Sequence, residues 1–160
     1  MELNKINKKC TGIWFFGLSG SGKTISSSFI KNNILKDALV IDGDDVRKFI
    51  SSDLGYEIKD RKIQVSRILG ICKLCIKSNI FPICSTVYMH KNLIYDLKKM
   101  RIKVIEIKRN VEDLSDLPIY KDPKNVLGID LQYENKMDVN FIKNESKNQL
   151  FKDLPNIFNI

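Results

Sequence analysis

Residues 13–24 read Ile-Trp-Phe-Phe-Gly-Leu-Ser-Gly-Ser-Gly-Lys-Thr. The first four are apolar and suit a buried strand. The next eight, Gly17-Leu18-Ser19-Gly20-Ser21-Gly22-Lys23-Thr24, match the pattern glycine, four residues, Gly-Lys-Ser/Thr. A strand that runs through this pattern into a helix is a phosphate-binding loop. The glycines let successive N–H groups converge on one point, and the helix that follows brings the positive end of its dipole to the same place. Nucleoside triphosphate is therefore the predicted ligand, ATP first. The loop backbone would cradle it, Lys23 would reach the β- and γ-phosphates, and the Thr24 hydroxyl would hold Mg2+.

Outward from this loop, apolar runs at 13–16, 38–41, 80–84, 104–107 and 139–142 alternate with helical periodicity at 23–32, 46–51, 60–78, 90–100 and 145–154. Strands that are almost continuously apolar, with helices between them, imply an α/β fold whose parallel sheet is covered on both faces. No linker rich in Gly, Ser or Pro interrupts the 160 residues, so 1–160 reads as a single domain. Residues 111–131 stand apart, with Pro118, Pro123 and Gly128 and little periodicity. In a phosphotransferase that stretch suits a lid closing over the reacting groups.

Composition narrows the class further. Nothing approaches the roughly 20 apolar residues of a membrane span, and the polar arm Met1 to Lys9 is unlike a signal peptide. A cytoplasmic protein is expected. The net charge is +8, but Lys, Ile and Asn together make 59 of the 160 residues. That is the bias of AT-rich codons, so many lysines are expected to be scattered over solvated faces. With no basic run interleaved with aromatics, dedicated nucleic-acid binding is not expected. Cys72 and Cys75 lie on an apolar helical face, and His90 is the only histidine, so Cys10, Cys72, Cys75 and Cys84 read as core thiols rather than zinc ligands. His90 itself reads as a surface or capping residue.

The second informative stretch is Val40-Ile41-Asp42-Gly43-Asp44-Asp45-Val46-Arg47. It falls at the carboxyl end of the second strand, where open α/β sheets place their ligands. Asp44 could accept a proton from an attacking hydroxyl or orient it. Asp42 could support magnesium or its waters, and Arg47 could hold an anionic acceptor. The alternative is an ordinary turn with an aspartate capping a helix.

Together with the phosphate loop, Asp42-Gly43-Asp44-Asp45-Val46-Arg47, Asp53-Leu54-Gly55-Tyr56, Asp60-Arg61, and Gly128-Ile129-Asp130 followed by Tyr133-Glu134 resemble the adenylylsulfate kinase family. Members use MgATP to phosphorylate the 3′-hydroxyl of adenosine 5′-phosphosulfate. The resemblance implies a three-layer α/β/α kinase of the nucleoside-monophosphate-kinase type, with a five-stranded parallel sheet and the first strand central. It assigns Lys23 and Asp44 to catalysis. Asp42, Asp44, Arg47, Tyr56, Arg61, Gln64 and Val126 fall to the acceptor site, with the two arginines on its anionic groups and Tyr56 stacked on its base. A homodimer is compatible with it.

The departures from the family pattern cluster on the acceptor side. Gln64 replaces an Asn, Ser66 an Arg, Val87-Tyr88-Met89 an Ile-Ser-Pro, and Val126 the second aromatic of the base clamp. Losing one face of an aromatic sandwich weakens base stacking by about 1–3 kcal/mol, a factor of about 5–150 in affinity. These changes suggest a different base or 5′ group, and because Cys84-Ser85-Thr86-Val87 and the stretch Asn125 to Asp130 resemble capsule-linked relatives of the family, the sequence leans toward cytidine diphosphoramidate, the substrate of those similar kinases in bacterial capsule modification. Adenylylsulfate itself and a non-catalytic ATP-binding protein are the alternatives. The lid pattern is shortened to Ser115-Asp116-Leu117-Pro118-Ile119-Tyr120 and lacks its arginine; Lys108, Arg109, Lys121 or Lys124 could replace it, Lys121 being best placed by spacing.

Overall fold

In the computed structural model, which describes residues 10–121, 124–131 and 137–159, the apolar run before the phosphate loop is a strand with every residue buried, β1 (Gly12–Phe16). The arm 1–9, Pro123 and the Tyr133-Glu134 part of the resemblance lie outside the described residues. After β1 come α1 (Lys23–Asn33), β2 (Leu39–Asp42), α2 (Gly43–Phe49), α3 (Ile58–Lys77), β3 (Pro82–Thr86), α4 (Lys91–Lys99) and β4 (Ile102–Lys108). A 3-10 turn (Glu112–Leu114), α5 (Pro118–Lys121), β5 (Asn140–Lys143), α6 (Lys147–Asp153) and a closing 3-10 segment (Leu154–Phe158) complete the order.

The five strands form one parallel sheet in the order β2-β3-β1-β4-β5, with β1 central. Alternate side chains of β1 point to opposite faces. Trp14 and Phe16 pack against Val65 and Ile68 of α3 and Leu93 and Leu97 of α4. Ile13 and Phe15 pack against Ile30 of α1, Leu150 of α6 and Phe158. Both faces are covered, which gives three layers. Each fully buried aromatic of β1 contributes at most about 4–6 kcal/mol of transfer free energy, so this strand anchors both cores. All carboxyl ends lie along one edge of the sheet, and there the chain crosses to opposite sides of β1.

The boundaries shift by one to three residues from the sequence reading, for local reasons. The Ala38 N–H closes a turn onto the Leu35 carbonyl, so β2 starts at Leu39 and extends to Asp42, which pairs with Ser85. The Ile80 N–H still caps α3 at Cys75 and Asn79 takes φ 59, so β3 begins only at Pro82. Helix α2 starts earlier than the periodicity predicts, because the Asp42 side chain accepts the Asp44 N–H and draws Gly43-Asp44-Asp45 into the first turn. Ser146 caps α6, delaying its start to Lys147.

His90 caps α4, its Nδ1 accepting the Leu93 N–H at 3.2 Å, as the sequence allows. The four thiols are buried. Cys72 and Cys84 bring their sulfurs to 3.0 Å between α3 and β3. Among the described residues no cluster of His, Cys, Asp and Glu is fit to hold a metal, and no helix is long and apolar enough to cross a membrane.

Candidate active site

The phosphate loop leaves β1 through Gly17 at φ 145, where a Cβ would collide with the Ile107 carbonyl. It enters α1 through Gly22 at φ 109, in the left-handed region that glycine tolerates. No side chain caps α1, so its first N–H groups are left to the loop and to a ligand. The loop's carbonyls are occupied instead. Asn144 Nδ2 donates to Ser21 O at 2.6 Å, Tyr120 Oη to Ser19 O at 2.8 Å, and Arg109 Nη1 to Gly20 O at 3.4 Å. Drawing the carbonyls outward leaves the amides for an anion.

Lys23 is buried and donates from Nζ to Leu18 O at 2.6 Å. Burial lowers its pKa to about 8, against the opposing charges of Asp44 and Asp42. An ammonium held in so dry a site is short of counter-charge, and a phosphate supplies it.

Beside it, Thr24 Oγ1 donates to Asp42 Oδ2 at 2.9 Å, and Ser85 Oγ donates to the same oxygen at 2.7 Å. A carboxylate with a hydroxyl on either side is a hard oxygen set, which fits Mg2+ held through Thr24 and, by way of water, Asp42. The sequence reading gave Asp42 two places, beside magnesium or its waters and in the acceptor site; its carboxylate is turned to Thr24, Ser85 and the Asp44 N–H, and it does not line the cavity described next.

Next to the loop opens a cavity of about 230 Å³. The other six sequence-predicted acceptor residues, Asp44, Arg47, Tyr56, Arg61, Gln64 and Val126, all line it. Arg47 donates to Leu54 O at 3.1 Å and Gly55 O at 2.6 Å, and its guanidinium lies 4.5 Å from the Tyr56 ring centroid. Arg61 donates to Tyr56 O at 2.9 Å and Asn125 O at 2.6 Å, 5.7 Å from the same ring. The loop bearing Tyr56 is fixed to α3 by a two-pronged pair, Arg67 with Asp53, at 2.6 and 2.8 Å. That pair holds the Asp53 carboxyl below its ordinary range. Val126 is presented by Asp130, whose carboxylate accepts the Asn125 N–H at 2.6 Å and the Val126 N–H at 2.5 Å.

Several contributors were missed. Tyr88 and Thr86 line the cavity as well. A short chain fixes them: Trp14 Nε1 donates to Thr86 Oγ1 at 2.8 Å, and Thr86 Oγ1 donates to Tyr88 O at 3.0 Å. The available signal was their place at the carboxyl end of a central strand. Asn144 at the end of β5 carried the same signal. Of the four cations offered for the missing lid arginine, spacing favoured Lys121, whereas Arg109 is seen to donate to a phosphate-loop carbonyl.

A glycine-rich loop between the central strand and its helix, with a carboxylate-bearing turn from the adjacent crossover, defines a P-loop kinase fold. Residues 9–142 match the family model for adenylylsulphate kinase, and the chain belongs to that family. It is 29% identical over 129 residues to the adenylyl-sulfate kinase of Buchnera aphidicola from Acyrthosiphon pisum, covering 76% of this chain and 61% of that protein. It is 35% identical over 121 residues to the Clostridium kluyveri adenylyl-sulfate kinase, covering 71% and 58%. The chain thus spans about three fifths of the length of these relatives. In fold it matches the Mycobacterium tuberculosis APS kinase CysC, solved with AMPPNP and APS. The TM-score is 0.80 at 18% identity, over 94% of this chain and 96% of that one.

Proposed function

We propose that the chain is a cytoplasmic ATP-dependent kinase that transfers the γ-phosphate to the 3′-hydroxyl of a small nucleotide, with adenosine 5′-phosphosulfate as acceptor. The observation behind this is the cavity beside the phosphate loop that is lined by one carboxylate, two guanidiniums and the Tyr56 ring. The acceptor is supported by the relatives named adenylyl-sulfate kinase. No comparison supports the cytidine diphosphoramidate reading drawn from the sequence, which serves below as an arm of the test.

In this reading residues 1–160 act as one domain with 111–131 as its lid. Asp44 orients the 3′-hydroxyl and takes its proton. The hydroxyl oxygen bonds to the γ-phosphorus, the bond from that phosphorus to the bridging oxygen breaks, and ADP leaves. Lys23 and the loop amides offset charge on the transferring group. Bound Mg2+, with Thr24 and Asp42 as its protein partners, would neutralise charge on the β- and γ-phosphates. Arg47 and Arg61 hold the anionic end of the acceptor while Tyr56 stacks on its base. Ile119 and Tyr120 of the lid border the loop and help exclude water.

The test is ADP release from MgATP with adenosine 5′-phosphosulfate and cytidine diphosphoramidate offered separately. Turnover of the sulfate compound that falls at least about 100-fold in Asp44→Ala and Lys23→Ala is expected. Turnover of the cytidine compound alone would reassign the acceptor. ATP binding without turnover of either would show a non-catalytic nucleotide-binding protein.

A further inference from the structure

Asn144, the residue after β5, is only 7% exposed. Its own N–H donates to Lys108 O, the last carbonyl of β4, at 2.7 Å, which ties its backbone to the sheet. From that fixed point Nδ2 donates to Ser21 O at 2.6 Å. Because a backbone carbonyl can only accept, the sense of the amide is settled. The fit is close on the neighbouring residue too. A Cβ on Gly22 would come within 2.6 Å of Nδ2, so glycine leaves the space that the amide fills.

What this bond controls is a peptide plane. Ser21 C=O and Gly22 N–H belong to one rigid trans unit and point in opposite directions. With the carbonyl drawn to Asn144, the Gly22 N–H is turned away from it, and it has no acceptor among the described residues. The other two held carbonyls differ. The plane that carries Gly20 O already uses its N–H, since Ser21 N–H donates to Leu18 O at 3.1 Å. Ser19 O is held by Tyr120, which belongs to the proposed lid. Asn144 orients a free loop amide from the sheet itself.

We propose that Asn144 is a positioning residue for the nucleoside triphosphate, holding the Ser21–Gly22 peptide with its N–H free for a phosphate oxygen and its carbonyl turned away. This rests on the ATP-binding part of the reading above. Without the donor the plane is free to rotate, and a carbonyl swung toward a phosphate sets lone pair against lone pair. Losing the partner of a buried carbonyl should weaken ATP binding by at least about five-fold.

The experiment is calorimetry of MgATP, and of magnesium tripolyphosphate, the same polyphosphate without its nucleoside, with the unaltered chain, Asn144→Leu and Asn144→Asp. Thermal midpoints identify the variants that fold, and the isosteric Asn144→Asp carries the test where Asn144→Leu does not. The expected result is a loss of at least about five-fold in ATP affinity in Asn144→Leu. A larger loss is expected in Asn144→Asp, which sets an acceptor against the Ser21 carbonyl. Tripolyphosphate should lose the same factor as ATP, because the amide in question meets only the phosphates. ATP affinity within about two-fold of the unaltered chain in a folded variant would overturn the assignment. A loss for ATP that tripolyphosphate does not share would overturn it as well, since it would mark a merely structural disturbance felt by the nucleoside half. No binding of ATP by the unaltered chain would instead overturn the ATP reading, and this assignment with it.

Discussion

Asp130 touches neither nucleotide in the mechanism above, yet its removal should damage the acceptor site selectively. Its two carboxylate oxygens hold the Asn125 and Val126 amides at 2.6 and 2.5 Å. The Asn125 carbonyl in turn receives Arg61, and Val126 is part of the cavity wall. Hydrogen bonds to a charged group contribute about 1.5–3 kcal/mol each. Asp130 is exposed, so the low end applies, and water replaces part of what is lost. The net for both bonds is about 2 kcal/mol, a factor of about 30 in the closed-to-open ratio of this loop. Asp130→Ala is therefore expected to raise the acceptor KM by about 10–30-fold while ATP affinity stays within about two-fold. Lys23 and Thr24 are held by contacts that do not pass through this loop. Asp130→Asn keeps one acceptor oxygen and should fall between. The assay is initial-rate ADP release over a range of acceptor concentrations, with ATP binding followed separately by calorimetry. An unchanged acceptor KM in a folded Asp130→Ala chain would refute the reasoning, as would an equal loss of ATP affinity.

Because burial holds the Lys23 pKa at about 8, the free chain sheds this proton as the pH rises through that value. A bound triphosphate favours the ammonium. ATP binding should therefore take up a proton at pH 8.5 and weaken above pH 8, as calorimetry in buffers of differing ionisation enthalpy would reveal; no uptake would exclude Lys23 as the responding group. Val126→Phe would face Tyr56 with a second ring and should lower the KM for a purine acceptor by about five-fold or more. Val126 is buried, so overpacking should also lower the thermal midpoint, and an unchanged KM would show that position 126 does not meet the base.

What was legible in the sequence followed from local signals. The run Ile13 to Phe16 and the glycine pattern after it required only neighbours along the chain, and so did the capping geometry at Asp42. The six cavity-lining residues expected at the acceptor site were reached through resemblance of short motifs, and folding gathers them at one cavity because all five strands end on one edge. What escaped depends on contacts distant in sequence. Arg109 reaches a loop carbonyl 89 residues away, and Asn144 reaches one 123 residues away; the sequence offered Arg109 among four cations, and spacing within the lid favoured Lys121 over it. The motif of Asp42 left it between magnesium and the acceptor, because nothing in it reveals that Thr24 and Ser85 converge on its carboxylate. Tyr88 lay in a segment read as a loss of the family's pattern, although it adds an aromatic to the cavity.

Two guanidiniums rest on the same phenol ring. Arg47 and Arg61 repel each other, and Tyr56 keeps them near one another by offering its π-face to both. If these groups bind the acceptor as proposed, charge reading and base reading share one part. In the proposed reading a substrate's anion would relieve the mutual repulsion and so settle the ring on which the base would lie, and the two halves of the acceptor should then be felt by the protein as a single event rather than as separate footholds. Trimming either half of the molecule would cost more than the contacts it removes.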